Sequence, residues 1–180
     1  NGFNPSKNSA LELVNKLRDG DRLAIVNSNT TNYSLSGFTK ESAISFLQGM
    51  QPGGNGNLAQ RLTQAQAELD MNGITERQKI IVLFSAEEEF SSPSILDAGY
   101  VLPTYPVSTF GFQSSSFGQN KMGWLANQTD GEYYEINNST EIPYVVNVIW
   151  YRLLGMQVTY ISDPISSEDI ANAMVSGLYW

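Results

Sequence analysis

The stretch QKIIVLFSAEEEF, residues 78–90, decides the fold class of this chain. Its first part, residues 79–85, is a continuous apolar run with β-branched residues, which is typical of a strand buried on both faces of a parallel sheet. Its second part contains Glu87, Glu88 and Glu89. Carboxylates that follow a central strand often hold a metal ion or a substrate, because ligands of open α/β sheets bind at that edge. The stretch therefore predicts a sheet core and raises the question of a site beside it.

Strand-like and helix-like segments alternate on both sides of this stretch. The other predicted strands cover residues 22–29, 32–38, 105–112, 131–136 and 156–162. The predicted helices cover residues 5–19, 40–50, 58–71, 92–102, 120–129, 141–155 and 166–180, and Thr39 is the expected N-cap of the second. This alternation predicts a Rossmann-like α/β fold, in which a doubly wound, mostly parallel sheet carries helices on both faces as a three-layer sandwich.

The length and the net charge of the chain limit the classes of protein to which it can belong. The chain has 180 residues, of which 41% are hydrophobic, and this suits one α/β domain with a sizeable core. The net charge is -8 and the ten basic residues are scattered, so the cationic footprint of a nucleic-acid-binding protein is missing. No apolar run approaches the roughly 18 residues that would predict a transmembrane segment.

The chain contains neither cysteine nor histidine. Disulfides, thiol catalysis and cysteine-ligated zinc are therefore excluded, and the commonest general base is missing. We expect a protein that is not an enzyme. An enzyme on a Rossmann-like frame is the alternative, but it would need an acid–base pair that the sequence does not display.

Glycosylation sequons suggest where the protein resides. The pattern Asn-x-Ser/Thr begins at Asn29, Asn32, Asn127, Asn137 and Asn138. A chain this rich in Asn, Ser and Thr would contain about three by chance, so accidental sequons are the alternative. The modest excess favours an extracellular or cell-surface glycoprotein.

The order of these segments resembles a von Willebrand factor type A (vWA) domain across roughly residues 6–155. No single motif is decisive, but their order and spacing together are specific. The stretches that carry the resemblance are LRDGDRLAIVNSN (17–29), LQGMQPGGNGNLAQRLTQAQAEL (47–69), RQKIIVLFSAEEE (77–89), YPVSTFGF (105–112) and MGWLANQTDGEYYEINN (122–138).

The resemblance implies a position for a metal-ion-dependent adhesion site (MIDAS). The family builds it from Asp-x-Ser-x-Ser after the first strand, a Thr in the Gly-rich loop and an Asp after a central strand. Here Gly56 stands at the Thr position beside Asn57, Ser85 stands where the strand ends, and Ala86 replaces the Asp. No Asp-x-Ser-x-Ser occurs in the chain. A degenerate site, and so no metal cofactor, is expected.

An alternative interpretation is that the site still binds a metal ion. Glu87 and Glu88 are weak candidate ligands, and Ser85 and Asn57 would add oxygens. The chain would then be a metal-dependent adhesion or ligand-binding module for Mg²⁺ or Ca²⁺, whose site is completed by a segment outside this chain. The competing interpretation of the glutamates is a solvated acidic turn.

The resemblance also implies that the family's first strand, which lies in the middle of the sheet, is missing. Residues 1–155 would form a vWA-like domain without this strand, and residues 156–180 a C-terminal strand–helix extension. The extension either completes the sheet, is exchanged with a neighbour, or is simply appended. A propeptide or a companion polypeptide could also fill the position.

These observations predict a non-catalytic module for protein–protein interaction or assembly in an extracellular or surface glycoprotein. Its partner would be another protein or a second copy that supplies or receives a β-strand. A strand-complemented filament is one form that such assembly would take.

Overall fold

The computed structural model describes residues 3–27, 30–51, 57–85, 94–112 and 114–153. The strands are β1 (Ile25–Asn27), β2 (Thr30–Tyr33), β3 (Ile81–Ser85), β4 (Val107–Phe112) and β5 (Tyr133–Ile136). The α-helices are α1 (Phe3–Lys16), α2 (Lys40–Gly49), α3 (Leu58–Asn72), α4 (Ser116–Gln128) and α5 (Ile142–Leu153). Short 3₁₀ helices cover Leu35–Gly37 and Ser139–Glu141.

The described strands form two sheets. β3, β4 and β5 form a parallel sheet in that order, with Leu83 opposite Thr109 and Gly111 opposite Glu135. β1 and β2 form an antiparallel hairpin. Helices cover both faces of the parallel sheet, so the predicted α/β class with a mostly parallel sheet is confirmed.

β4 organises the core because its side chains alternate between two helix layers. Phe110 and Phe112 pack with α1 and α5 in one cluster, which we call the α5-side core. Val107 faces the opposite way and packs with α3 and α4 in the α3-side core. A third cluster, the hairpin core, joins α1 and α2 and is surrounded by partly buried residues of β1 and β2.

Local sequence signals account for the helix starts. The Thr39 hydroxyl accepts a hydrogen bond from the Ser42 amide at 3.2 Å, which confirms the predicted cap of α2. Asn57 caps α3 and Ser115 caps α4 in the same way, each satisfying an amide that the helix itself leaves unpaired.

Three sequence predictions were wrong in part. The strand predicted at 32–38 ends at Tyr33, because Ser34 caps a 3₁₀ turn there. The helix predicted at 92–102 is a series of turns from Ser94 onward, where the Asp97 carboxylate accepts the Ser94 amide at 2.7 Å. The strand at 79–85 is buried only at Ile81, and its other residues are half-buried.

Candidate functional site

Two of the predicted metal-site positions are described. Asn57 is 4% exposed, and its Oδ1 accepts a hydrogen bond from the Gln60 amide at 3.0 Å. Ser85 is the last residue of β3 and is half-buried. Because α3 returns the chain to the start of β3, its first turn lies towards the edge where β3 ends. The structure thus places Asn57 and Ser85 towards the same edge of the sheet.

The donors described at this edge do not by themselves fit a hard cation. The two residues offer one amide oxygen, already engaged in capping, and one hydroxyl, whereas Mg²⁺ and Ca²⁺ take six or more oxygen ligands. Within the described ranges, no group of three acidic, His or Cys side chains could hold a metal ion. Gly56, Ala86, Glu87, Glu88 and Glu89 lie outside the described residues, so the degenerate site stays a prediction.

A polar cluster that the sequence did not predict lies at the ends of β4 and β5. The Glu135 carboxylate accepts the Ser114 amide at 2.9 Å and the hydroxyl of Tyr133. Gly111 leaves room for these groups, because a Cβ there would lie 2.8 Å from the Tyr133 hydroxyl oxygen. The Gln119 amide nitrogen donates to the Ser114 carbonyl at 3.0 Å. The cluster therefore holds the chain in place where it leaves β4.

Tyr133 keeps its proton at neutral pH. Partial burial, and then the hydrogen bond that its hydroxyl donates to Glu135, raise the pKa of Tyr133 above its ordinary value of 10.0. A phenol held in this way is a hydrogen-bond donor and is unsuited to act as a base or nucleophile. Only the pairing of β4 with β5 brings Gly111 opposite Glu135, so no local sequence signal could have revealed the cluster.

Glu68 is the other carboxylate that sequence reasoning missed, and it is only 5% exposed. Its Oε1 accepts hydrogen bonds from the Ser34 hydroxyl at 2.6 Å, the Leu35 amide at 2.8 Å and the Asn72 side chain at 3.1 Å. These contacts tie α3 to the 3₁₀ turn after β2. The arrangement is that of a structural carboxylate.

A polar groove of about 590 Å³ lies between the end of α1 and the start of α2. Asp21 lines it and pairs with Arg18 at 3.3 Å and with Arg77 at 3.5 Å. The Arg18 guanidinium also lies 5.5 Å from the ring centroid of Trp150, near the end of α5. Asp21 therefore links the segment after α1 to Arg77, which follows α3, and Arg18 contacts α5.

The predicted glycosylation positions differ in their surroundings. Asn127 is exposed on α4, but the Thr129 of its sequon is buried and its hydroxyl accepts the Val107 amide at 3.2 Å. Asn137 and Asn138 are both exposed, and Asn138 caps the 3₁₀ turn that follows. Asn32 belongs to β2, and Asn29 lies outside the described residues. Glycosylation at any of the five stays a prediction.

Solved structures with a similar fold include a vWA domain from Catenulispora acidiphila, with a TM-score of 0.62 and 14% identity over 87% of this chain and 39% of that chain. Proximal thread matrix protein 1 from the mussel byssus, in a form with a zinc-occupied MIDAS motif, has a TM-score of 0.59 and 21% identity over 82% of this chain and 42% of that chain. An aerotolerance-related membrane protein from Bacteroides fragilis has a TM-score of 0.62 and 11% identity over 86% of this chain and 89% of that chain.

At these identities the likeness establishes the fold, which is vWA-like as the sequence resemblance predicted. This chain spans less than half of the Catenulispora and mussel chains. No protein-family model and no curated protein matches the sequence. Across the described part of the chain, no helix has the length and apolar character needed to cross a membrane.

Proposed function

We propose that this chain, whose fold is that of a vWA domain, is a non-catalytic protein-interaction module of an extracellular or cell-surface glycoprotein. The observation that carries the proposal is the shared fold, because the similar structures include a matrix protein of the mussel byssus. The exposed sequon at Asn137 is consistent with a surface location.

The hydrogen bonds of two carboxylates, Glu68 and Glu135, support a non-catalytic role. Glu68 and Glu135 are bound to backbone amides, at Leu35 and at Ser114 respectively, which leaves them as structural anchors. The chain supplies no histidine or cysteine to take a proton or attack a substrate. Binding to another protein needs none of these groups.

Titration calorimetry with Mg²⁺, Mn²⁺ and Ca²⁺ tests the metal-independent form of this proposal. We expect no heat of binding and no change in the thermal midpoint at millimolar cation. Micromolar binding would support the alternative, a metal-dependent adhesion module that uses Glu87 and Glu88. The double variant Glu87→Gln/Glu88→Gln would then lose the binding, while Glu76→Gln, an exposed glutamate elsewhere, would retain it.

Expression through a eukaryotic secretory pathway tests the surface location. We expect a glycan at Asn137, because the folded chain leaves Asn137, Asn138 and Ser139 exposed and so has room for it. Intact mass of the wild type and of Asn137→Gln would show the difference. Retention of the chain inside the cell, with every sequon unmodified, would contradict the proposal.

A strand-complemented filament is a second candidate function. The observation that favours it is that the apolar strand β3 is paired on one edge only among the described residues. A strand from another subunit would cover the other edge. A strand supplied by another subunit would indicate a filament, whereas a strand supplied by the same chain would indicate a monomeric module.

A further inference from the structure

The outer side of α4 combines exposed aromatic rings with an absence of charge. Phe117 is 53% exposed and Trp124 is 38% exposed, and both belong to α4. Lys121 is the only charged residue of this helix, and it is buried. We call the exposed side of the helix, formed by Phe117, Asn120, Trp124 and Asn127, the α4 face. Aromatic side chains and a lack of charge are typical of the centre of a protein–protein interface.

The segment beside α4 extends this apolar surface. The Lys121 ammonium donates a hydrogen bond to the Ser94 hydroxyl at 3.0 Å, so the turns that begin at Ser94 lie against the helix. Leu96, two residues further on, is 49% exposed. Lys121 lies between Phe117 and Trp124 along the surface of the helix. Leu96 and the two aromatic rings therefore lie on the same side of the molecule, as an apolar patch of the kind at which another surface docks.

The charge of the whole chain indicates which partner fits this face. The net charge is -8, so two copies of the chain repel each other over most of their surface. A basic partner would be attracted to the acidic surface elsewhere, and an acidic partner would find no exposed cation on α4. An uncharged face lets two copies meet without bringing like charges together.

The spacing of the two rings suits contact with a second copy. Phe117 and Trp124 are two helical turns apart, which is about 10 Å along the axis. When two α4 helices pack antiparallel around a two-fold axis that passes beside Asn120, Phe117 of each copy lies opposite Trp124 of the other. The two Asn120 amides then face each other, and each can both donate and accept a hydrogen bond. The α4 face is therefore complementary to itself.

Helix dipoles favour the antiparallel arrangement. The N-terminus of a helix carries a partial positive charge and the C-terminus a partial negative one. Antiparallel packing brings these opposite ends together, and it also brings the exposed Asp130, just after the end of α4, towards the N-terminus of the other helix. Parallel packing would instead bring the two Asp130 side chains towards each other.

We propose that the α4 face is a self-association surface, through which two copies of this chain form an antiparallel dimer with two-fold symmetry. This inference names a partner for the protein-interaction module proposed above and so rests on that function. α4 has 13 residues, so the face is about 20 Å long, which is small for a permanent dimer. We therefore expect a dimer that dissociates on dilution.

Analytical ultracentrifugation of the full chain, made in bacteria so that Asn127 carries no glycan, tests the dimer. We expect the average mass to rise from that of one chain towards that of two as the concentration increases. Trp124→Ala should raise the dissociation constant by about tenfold or more. Tyr144→Ala removes a similarly exposed aromatic side chain, 37% exposed, from α5, and this matched control should leave the constant unchanged. Circular dichroism checks that both variants are folded.

Cysteine cross-linking tests the arrangement of the helices, since the chain has no cysteine of its own. Asn120→Cys should form a disulfide-linked dimer on oxidation, because the two-fold axis brings the two copies of residue 120 together. Asn127→Cys, on the same face, should not. Antiparallel packing separates the two copies of that residue by about 20 Å along the helix.

Three outcomes would overturn this proposal. A wild-type chain that stays monomeric at millimolar concentration would rule out the dimer, but it would leave the proposed function intact, since that function needs only another protein as partner. Linking of Asn127→Cys as readily as Asn120→Cys would rule out the antiparallel arrangement. Self-association that Trp124→Ala leaves unchanged would place the contact elsewhere on the molecule, as the exchange of a strand would.

Discussion

Glu68 illustrates how a buried carboxylate stabilises this fold. Glu68→Ala leaves the buried amide of Leu35 without its acceptor, so we expect the free energy of unfolding to fall by about 2–3 kcal/mol. Urea denaturation followed by circular dichroism measures the loss. Glu76→Ala, at an exposed position, is the control and should change stability little. Equal effects of the two substitutions would mean that the hydrogen bonds of Glu68 contribute nothing.

Tyr133 makes the stability of the folded chain depend on pH in the alkaline range. Its pKa is raised in the folded state, so the unfolded chain loses this proton first, near pH 10.0. The stabilisation from Tyr133 is therefore fully present below that pH and is lost as the pH rises above it. Denaturation midpoints measured from pH 8 to pH 11 should fall less steeply for Tyr133→Phe. Identical slopes for wild type and variant would mean that Tyr133 does not cause the loss of stability at alkaline pH.

Among the elements, the turn between α4 and β5 depends on a glycine. Any Cβ at Gly131 would overlap the backbone carbonyl of Val107 in the adjacent strand. We expect Gly131→Ala to cost about 2–3 kcal/mol, because backbone on both sides would have to move. In Gly123→Ala, within α4, the new Cβ lies 3.9 Å from Tyr133, and the better helix former should add about 1 kcal/mol. Thermal denaturation of the two variants should shift in opposite directions.

For the whole molecule, stability should differ between the two sheets. β4 is paired on both sides and fully buried, whereas β1 and β2 form a two-stranded hairpin, and Ile25 and Val26 of β1 are half-buried. Two-stranded hairpins are marginal alone, so we expect amides of β1 to exchange with deuterium well before those of β4. Hydrogen exchange read by mass spectrometry tests this order. Uniform protection would indicate that one cooperative unit includes both sheets.

Helices and strands that are set by neighbouring residues could be predicted from the sequence. Those that depend on contacts between distant residues could not. The apolar run at residues 79–85 predicted the presence of β3, though not its partial exposure, and the Thr39 cap predicted the start of α2. The end of β2 was missed because the buried carboxylate of Glu68, distant in sequence, binds the 3₁₀ turn. The turns after Ser94 were missed because a short apolar segment does not by itself distinguish a helix from packed turns.

The sequence by itself determined the α/β class, the alternation of elements, the resemblance to vWA domains and the absence of cysteine and histidine chemistry. These follow from composition and from periodicity, which act over neighbouring residues. Only the tertiary structure decided that β1 and β3 do not pair among the described strands, that Gly111 lies opposite Glu135 and that Arg18 lies beside Trp150 near the end of α5. The reason is physical: strand pairing and helix packing join residues far apart in the chain, and no local pattern encodes which edges meet.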